Sequence, residues 1–327
     1  MTHAGTIRPR QLTQWRRFLR FEICAMLLFV MFLASACTQR KLPPAAMSTL
    51  TVSLLPQQIP LLGAPLMSAF SAALPAVNVR FVEQSFGIEY SIALQSGKAD
   101  IALFYSDTAY LAFAGELDGR RYDQLRGVAE LDPVPLYIIV RAGSSIRTID
   151  DLRGQRVSLG AQGSSTAITG GIALEALGIT VTKSHESYSE AASKLSEGAL
   201  DAVFAIGNYP PNRFGEVLRR GARVLSLSEP TVARLHRRHP FVRGMVIART
   251  ESGEPPALTI AVDRLLACRS GLDESVVYEV TKAFFKALPD LSLIYAPLRQ
   301  MDAEDAPATP IPLHEGAARY YREQAGL

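Results

Sequence analysis

From Thr49 onward the apolar and polar positions switch between two periods, and the switches predict alternating strands and helices. Leu50 to Leu55 is an apolar run of strand length. Leu61 to Leu74 sets Leu62, Leu66, Phe70 and Leu74 on one helical face. Val77 to Val82 alternates as a strand, and Ile88 to Gln95 suits a short helix. Ala99 to Tyr105 is almost continuously apolar, as in a strand covered on both faces. The order then recurs: Gln155 to Leu159 is a short strand and Ala161 to Ser165 a tight loop. Thr166 to Leu177 follows as a helix, with Gly178 placed to end it. Such alternation predicts an α/β open sheet.

An internal repeat refines the architecture. Leu94-x-x-Gly97-x-x-Asp100-Ile-Ala-Leu-Phe returns about a hundred residues later as Leu195-x-x-Gly198-x-x-Asp201-Ala-Val-Phe. Each copy is a helix end, a terminating glycine and an apolar strand entered through an aspartate. Two copies, each late in a βαβαβ run, predict two similar open-sheet lobes. Pro133 to Val140 is the outward crossing strand between them and Leu258 to Cys268 the return, which makes a two-strand hinge. Lobe I then comprises residues 49–135 with 262–327, and lobe II residues 136–261. The tail is helical from Asp273 to Leu288, again to about Tyr295, and from Gly316 to Gln324. The proline-bearing stretch from Ala303 to Pro312 is a linker.

Charge changes the picture only through its location. The formal +3 comes from the leader: residues 1–36 hold five arginines and one acid, Glu22, and without them the chain is at −1. No basic bias remains to bind nucleic acid. The leader itself has a basic n-region up to Arg20 and an apolar run from Ile23 to Ala36, which predicts a signal peptide. Its end, Leu33-Ala34-Ser35-Ala36-Cys37, is similar to the lipobox of bacterial lipoproteins, in which the cysteine is acylated and becomes the first residue. The expectation is lipid attachment at Cys37 and anchoring to the bilayer at the periplasmic face of the envelope. Plain cleavage after Ala36 and release into the periplasm is the rival. Residues 37–48 form a polar tether. Cys268, in an apolar run, is expected to be a small core residue.

The candidate chemistry lies at strand ends, where open α/β sheets place ligands. Gly163-Ser164-Ser165-Thr166 leads from a strand into a helix whose first N–H groups lack intrahelical partners. The helix dipole favours negative charge there, and three hydroxyls add donors. The loop is therefore a candidate anion cradle, and it equally suits a plain capped turn with Ser164 or Ser165 as N-cap. It is neither a P-loop nor a G-x-G-x-x-G fingerprint. Ser106-Asp107 and Gly207-Asn208-Tyr209 follow two other strands. Asp107 serves as ligand contact or as helix N-cap. Gln57 and Gln58 also follow a strand end, where a cleft role competes with a plain surface position. His236 and His239 have metal-ligand spacing, but Arg237 and Arg238 between them repel a cation. With no Gly-x-Ser-x-Gly elbow and no H-E-x-x-H, no catalytic residue, metal ligand or cofactor is assigned.

Several of these segments, taken in order, resemble the TAXI family, the solute-binding receptors of one class of TRAP transporters. They are the Leu-x-x-Gly-x-x-Asp strand, Val134-Pro135-Leu136-Tyr137, the run Ile149 to Val157, Gly163-Ser164-Ser165-Thr166 and Leu200-Asp201-Ala202-Val203-Phe204. The most specific piece is Pro312-Leu313-His314-Glu315-Gly316-Ala317-Ala318-Arg319-Tyr320-Tyr321-Arg322-Glu323, and the resemblance covers about Thr49 to Glu323. It implies a type II-like periplasmic binding protein, not an enzyme, that closes on a small carboxylate such as glutamate or 2-oxoglutarate. The ligand then passes to TRAP membrane permease subunits. By the same resemblance Gly163, Ser164, Ser165 and Thr166 contact ligand, with Ser165 in place of a glycine. Ser106, Asp107, Gly207 and Tyr209 join them. Two lobe I positions depart from the family: Gln57 lies where a glycine-rich aromatic loop is usual, and Tyr90 takes the place of a family asparagine, which fills volume and removes an amide. A lipid-anchored sensor without a transporter and an enzyme on the same fold are the other functions in view.

Overall fold

The computed structural model describes residues 47–56, 58–84, 87–207, 214–248 and 255–326. The first half of the chain contains β1 (Thr49–Leu54), a π-helical turn (Ile59–Gly63) leading into α1 (Ala64–Ala73), β2 (Asn78–Glu83), α2 (Gly87–Gln95), β3 (Ile101–Tyr105), α3 (Ser106–Ala114) and β4 (Leu125–Val140). Then come β5 (Arg156–Ser158), α4 (Ser165–Leu177), β6 (Thr182–Ser184), α5 (Tyr188–Ser196), β7 (Ala202–Ile206), α6 (Gly215–Arg219) and β8 (Arg223–Val224). The last elements are α7 (Glu229–Arg238), β9 (Arg243–Ile247), β10 (Ala257–Arg269), α8 (Glu274–Ile294) and α9 (Glu315–Gln324). Among the described residues no helix is long and apolar enough to cross a membrane.

The architecture is α/β, with one open mixed sheet in the order β2-β1-β3-β10-β4-β7-β5-β6. Two parallel blocks, β2-β1-β3 and β7-β5-β6, flank a central antiparallel pair, β10 and β4. All residues of β3 and β7 are buried, which is why these strands are uninterrupted apolar runs. β4 is longer than its apolar run predicts. Its first part, from Leu125 to Pro135, pairs with β10, and Leu136 to Val140 pairs with β7, so one strand passes from one block to the other. β9 adds to β10 and β8 to β4.

The repeat has one physical role in both copies. Gly97 and Gly198 take φ of 71° and 75°, the left-handed turn that ends each helix. The aspartate three residues on then caps the neighbouring parallel strand. Asp100 accepts the Thr51 N–H of β1 at 2.8 Å, and Asp201 accepts the Arg156 N–H of β5 at 3.1 Å. Each carboxylate is also held by arginine, Arg269 on Asp100 and Arg156 with Arg141 on Asp201. These guanidiniums hold Asp201 down to about 2.

Two expectations about the tail change. The two helices expected between Asp273 and Tyr295 are one, α8, which runs through Pro289. A proline removes one helical hydrogen bond, but α8 is buried along Val277, Val280, Thr281, Phe284 and Leu291 and packs on α1 and α9, and these contacts keep it continuous. The expected linker is strapped to β4: Glu130 donates its N–H to Ala306, and Gly127 donates to Pro312. A Cβ on Gly127 would lie 2.3 Å from Thr309 Oγ1, so only glycine admits the strap here. Cys268 is fully buried in β10, and burial pushes its thiol up, away from nucleophile chemistry.

Candidate functional site

Three helix N-termini meet where β3 and β5 end. A Cβ on Gly87, the first residue of α2, would stand 3.1 Å from Ser165 Oγ of α4 and 3.3 Å from Thr108 Oγ1 of α3. Gly87 thus permits a close approach that any side chain would crowd. Converging N-termini aim unpaired N–H groups and the positive ends of their dipoles at one place.

The Gly163 loop supplies the α4 end. Gly160 and Gly163 take φ of 73° and 77°, which lets the chain turn tightly out of β5. Ser164 is the N-cap, its hydroxyl accepting the Ala167 N–H at 3.3 Å, as the capped-turn alternative requires. Thr166 Oγ1 accepts the Ile206 N–H at 3.2 Å and shares a short hydrogen bond with Tyr188 Oη. Two of the three hydroxyls therefore hold the loop and the end of β7, and Ser165 Oγ faces Gly87 and Thr108.

Asp107 occupies the centre of this convergence and is fully buried. It accepts the Thr108 N–H at 2.6 Å, and Thr169 of α4 stands 2.5 Å from its other oxygen. Burial pushes its carboxyl above the usual range, against the opposing pull of the Thr169 and Thr108 bonds. Its neighbour Ser106 accepts the Asp263 N–H of β10 at 3.1 Å, which ties the start of α3 to the central strands.

Asp107, Ser165 and Thr166 are thus brought together, with Ser164 on the turn beneath. Gly207 follows the β7 end that Thr166 holds; its φ is 150°, and a Cβ there meets nothing within 4 Å. Tyr90 stands apart: its ring stacks on Phe104 at 5.5 Å and its hydroxyl donates to the Gln84 carbonyl, so it packs the core and holds the residue that follows β2. Gln57, Tyr209 and Cys37 lie outside the described residues. Thr169, Thr108 and Gly87 belong to the site without having been singled out from the sequence. Thr169 shares a helical face with Ser165 and Thr166, a polar stripe visible once α4 is scanned for polar instead of apolar spacing.

A cavity of about 490 Å³ lies beside the central strands, lined among others by Tyr110, Glu130, Phe241, Arg243, Asp263 and Asp305. Arg243 pairs with Asp263 across β9 and β10. The closing motif is a clasp: His314 caps α9 through Gly316, and Arg319 pairs with Glu274 and covers the Tyr278 ring at 4.1 Å.

The model of the NMT1-like family matches residues 62–325. Among solved structures, XAC2383 from Xanthomonas citri bound to ATP is similar at 14% identity, with 85% of this chain and 98% of that one covered and a TM-score of 0.58. PhnD1 from Prochlorococcus marinus, in complex with methylphosphonate, is similar at 12% identity, covering 86% and 99% with a TM-score of 0.52. A TctC solute-binding protein from Polaromonas is similar at 19% identity, covering 86% and 100% with a TM-score of 0.51. At these identities the likeness is one of fold.

Proposed function

The chain belongs to the NMT1-like family, and from that footing we propose that it is an extracytoplasmic solute-binding receptor of the TAXI class. It captures a small anionic carboxylate between two lobes and delivers it to a TRAP-type permease. The lobes are residues 49–135 with 262–327, and residues 136–261. On this division α2 and α3 come from lobe I and α4 from lobe II, and β4 and β10 are the hinge.

The observation that carries the reading is the meeting of three helix N-termini at strand ends. Such a place suits an anion, because unpaired N–H groups and dipoles are already oriented and need no rearrangement on binding. Ser165 is the hydroxyl assigned to the ligand, and Thr166, Gly207, Gln57 and Tyr209 are further assigned contacts. The fold of a TctC solute-binding protein agrees with a receptor role, and no catalytic step is assigned. Residues 1–36 direct export, Cys37 carries the lipid that holds the receptor to the bilayer, and the tether to residue 48 gives it reach.

A thermal-shift screen of small carboxylates, glutamate and 2-oxoglutarate included, against the chain from residue 38 tests the ligand class. A bound ligand at a thousandfold excess over its Kd stabilises by about 4 kcal/mol, a clear rise in Tm. Uniform silence across the carboxylates would overturn the ligand class. Fatty-acid labelling that persists in Cys37→Ser would overturn the anchor.

A further inference from the structure

The hydrogen bonds around Asp107 are one proton short if its carboxyl is ionised. Its Oδ1 accepts the Thr108 N–H at 2.6 Å and the Thr108 hydroxyl at 3.2 Å. Its Oδ2 stands 2.5 Å from Thr169 Oγ1, and that same oxygen lies 2.8 Å from the Ser165 carbonyl oxygen. Thr169 has a single hydroxyl proton for these two contacts. With Asp107 ionised, one of the two close oxygen–oxygen approaches contains no hydrogen. With a proton on Oδ2 the count closes. Asp107 then donates to Thr169 Oγ1, and the Thr169 hydroxyl donates back along its helix to Ser165, as helical threonines commonly do. We propose that Asp107 is protonated while α3 and α4 pack together as they do in this structure, without ligand as well, so that forming this contact takes up one proton.

The surroundings favour the neutral acid. Asp107 is fully buried, and among the described residues no ion pair reaches it. The largest influences on its proton are burial, which raises its affinity, and the bonds from Thr169 and Thr108, which lower it. The charged and titratable residues on the elements packed around it are Glu89 and Tyr90 of α2, Tyr105 of β3, Tyr110 of α3, Arg126, Glu130, Asp132 and Tyr137 of β4, Glu175 of α4, and Asp263, Arg264, Cys268 and Arg269 of β10. None ranks with burial or with those bonds. A neutral Asp107 also removes a conflict: an ionised carboxylate here would repel the anion that the three N-termini attract. The attraction of an anion to this place rests on the receptor reading; the proton on Asp107 does not.

The sign follows. Above the ordinary carboxylate range, each step of one pH unit weakens the α3–α4 contact about tenfold, until the pH passes the raised value of Asp107. Below the ordinary range the contact is insensitive to pH.

Infrared difference spectroscopy on the full chain, parent minus Asp107→Asn, reads the proton directly at neutral pH and without ligand. The expected result is a protonated-carboxyl C=O band in the parent that is lost in the variant and moves when Thr169→Val removes its partner. The difference cancels any other buried acid, Glu130 included. Asparagine keeps both bonds, its amide N–H donating to Thr169 and its oxygen accepting from Thr108, so D107N should fold. Should it not fold, Thr169→Val alone still shifts the band. No band in the difference, or a band indifferent to both substitutions, overturns the proposal. A band found without binding of any small carboxylate leaves the proton standing and sinks the receptor reading instead.

Discussion

Glu130 offers the sharpest quantitative test of the central strands. It lies on β4 opposite Leu265 of β10, half enclosed in the cavity that also holds Asp263, Asp305 and Arg243. Burial pushes its carboxyl up from 4.5 to about 8, with Asp263 adding to the rise and Arg243 opposing it. The folded chain therefore binds this proton more tightly than the unfolded chain. Stability from the group is fully present below pH 4.5, declines as pH rises to about 8 and stays at the lower level beyond. At about 1.4 kcal/mol per tenfold change in proton affinity, the whole shift corresponds to about 5 kcal/mol. The cavity is open to water and Arg243 stands nearby, so roughly 1–3 kcal/mol should be expressed. Glu130→Gln removes the ionisation and nearly keeps the shape. Urea unfolding of parent and E130Q should coincide at about pH 4 and separate progressively, with the variant ahead by that margin at about pH 9. Asp263, raised to about 6 by the same burial, titrates below the upper part of this window, so the gap between pH 6 and 8 belongs to Glu130. Parallel stability curves across the range, or a variant weaker than the parent at high pH, would refute this account of the cavity.

Two further substitutions probe the packing. A Cβ on Gly316 would fall 2.2 Å from the Glu274 carbonyl and 2.7 Å from the Tyr278 nitrogen, both backbone, so Gly316→Ala should undo the α8–α9 contact. The expected loss is about 1–3 kcal/mol in urea at unchanged m-value, and an unaltered midpoint would contradict it. Arg264 is buried with its Nη1 3.1 Å from Asp132 and 2.6 Å from Tyr295 Oη. Arg264→Met alone leaves a buried carboxylate without a partner and should cost about 3–5 kcal/mol, whereas adding Asp132→Leu should recover most of it. A double variant as weak as the single one would show that the pair contributes more than mutual neutralisation.

The layout of the sheet was legible because burial on both faces writes itself into composition. β3 and β7 are apolar throughout, and the aspartate that opens each repeat is conspicuous because a charge there must have a task. Its task, capping the N–H of the next strand, depends on β1 and β5 arriving alongside, which no local pattern encodes. The length of β4 was less visible for a related reason. Its first half carries Arg126, Glu130 and Asp132 among apolar residues, and the partner of Asp132, Arg264, is distant in the chain. The strap from Thr309 to Leu313 looked like a linker because its backbone pairing is with Gly127 of β4, far away in the chain.

The site was legible as places more than as contacts. Glycines with positive φ and small hydroxyl residues mark where chains turn at strand ends, so Gly163, Ser164 and Ser106 could be picked out. Which hydroxyls remain for a ligand is a matter of competition: a helix start consumes one as its cap, and a neighbouring strand end consumes another. Ser164 and Thr166 are spent in this way. Asp107 shows the competition most clearly. Its position after β3 made helix cap and ligand contact equal readings, yet its bonds reach past its own helix to Thr169, more than sixty residues away. A carboxyl buried between two helix N-termini contends with any incoming anion for the same positive field. Only its protonation state decides whether it is rival or ally, and that state is set by the number of protons around one threonine hydroxyl.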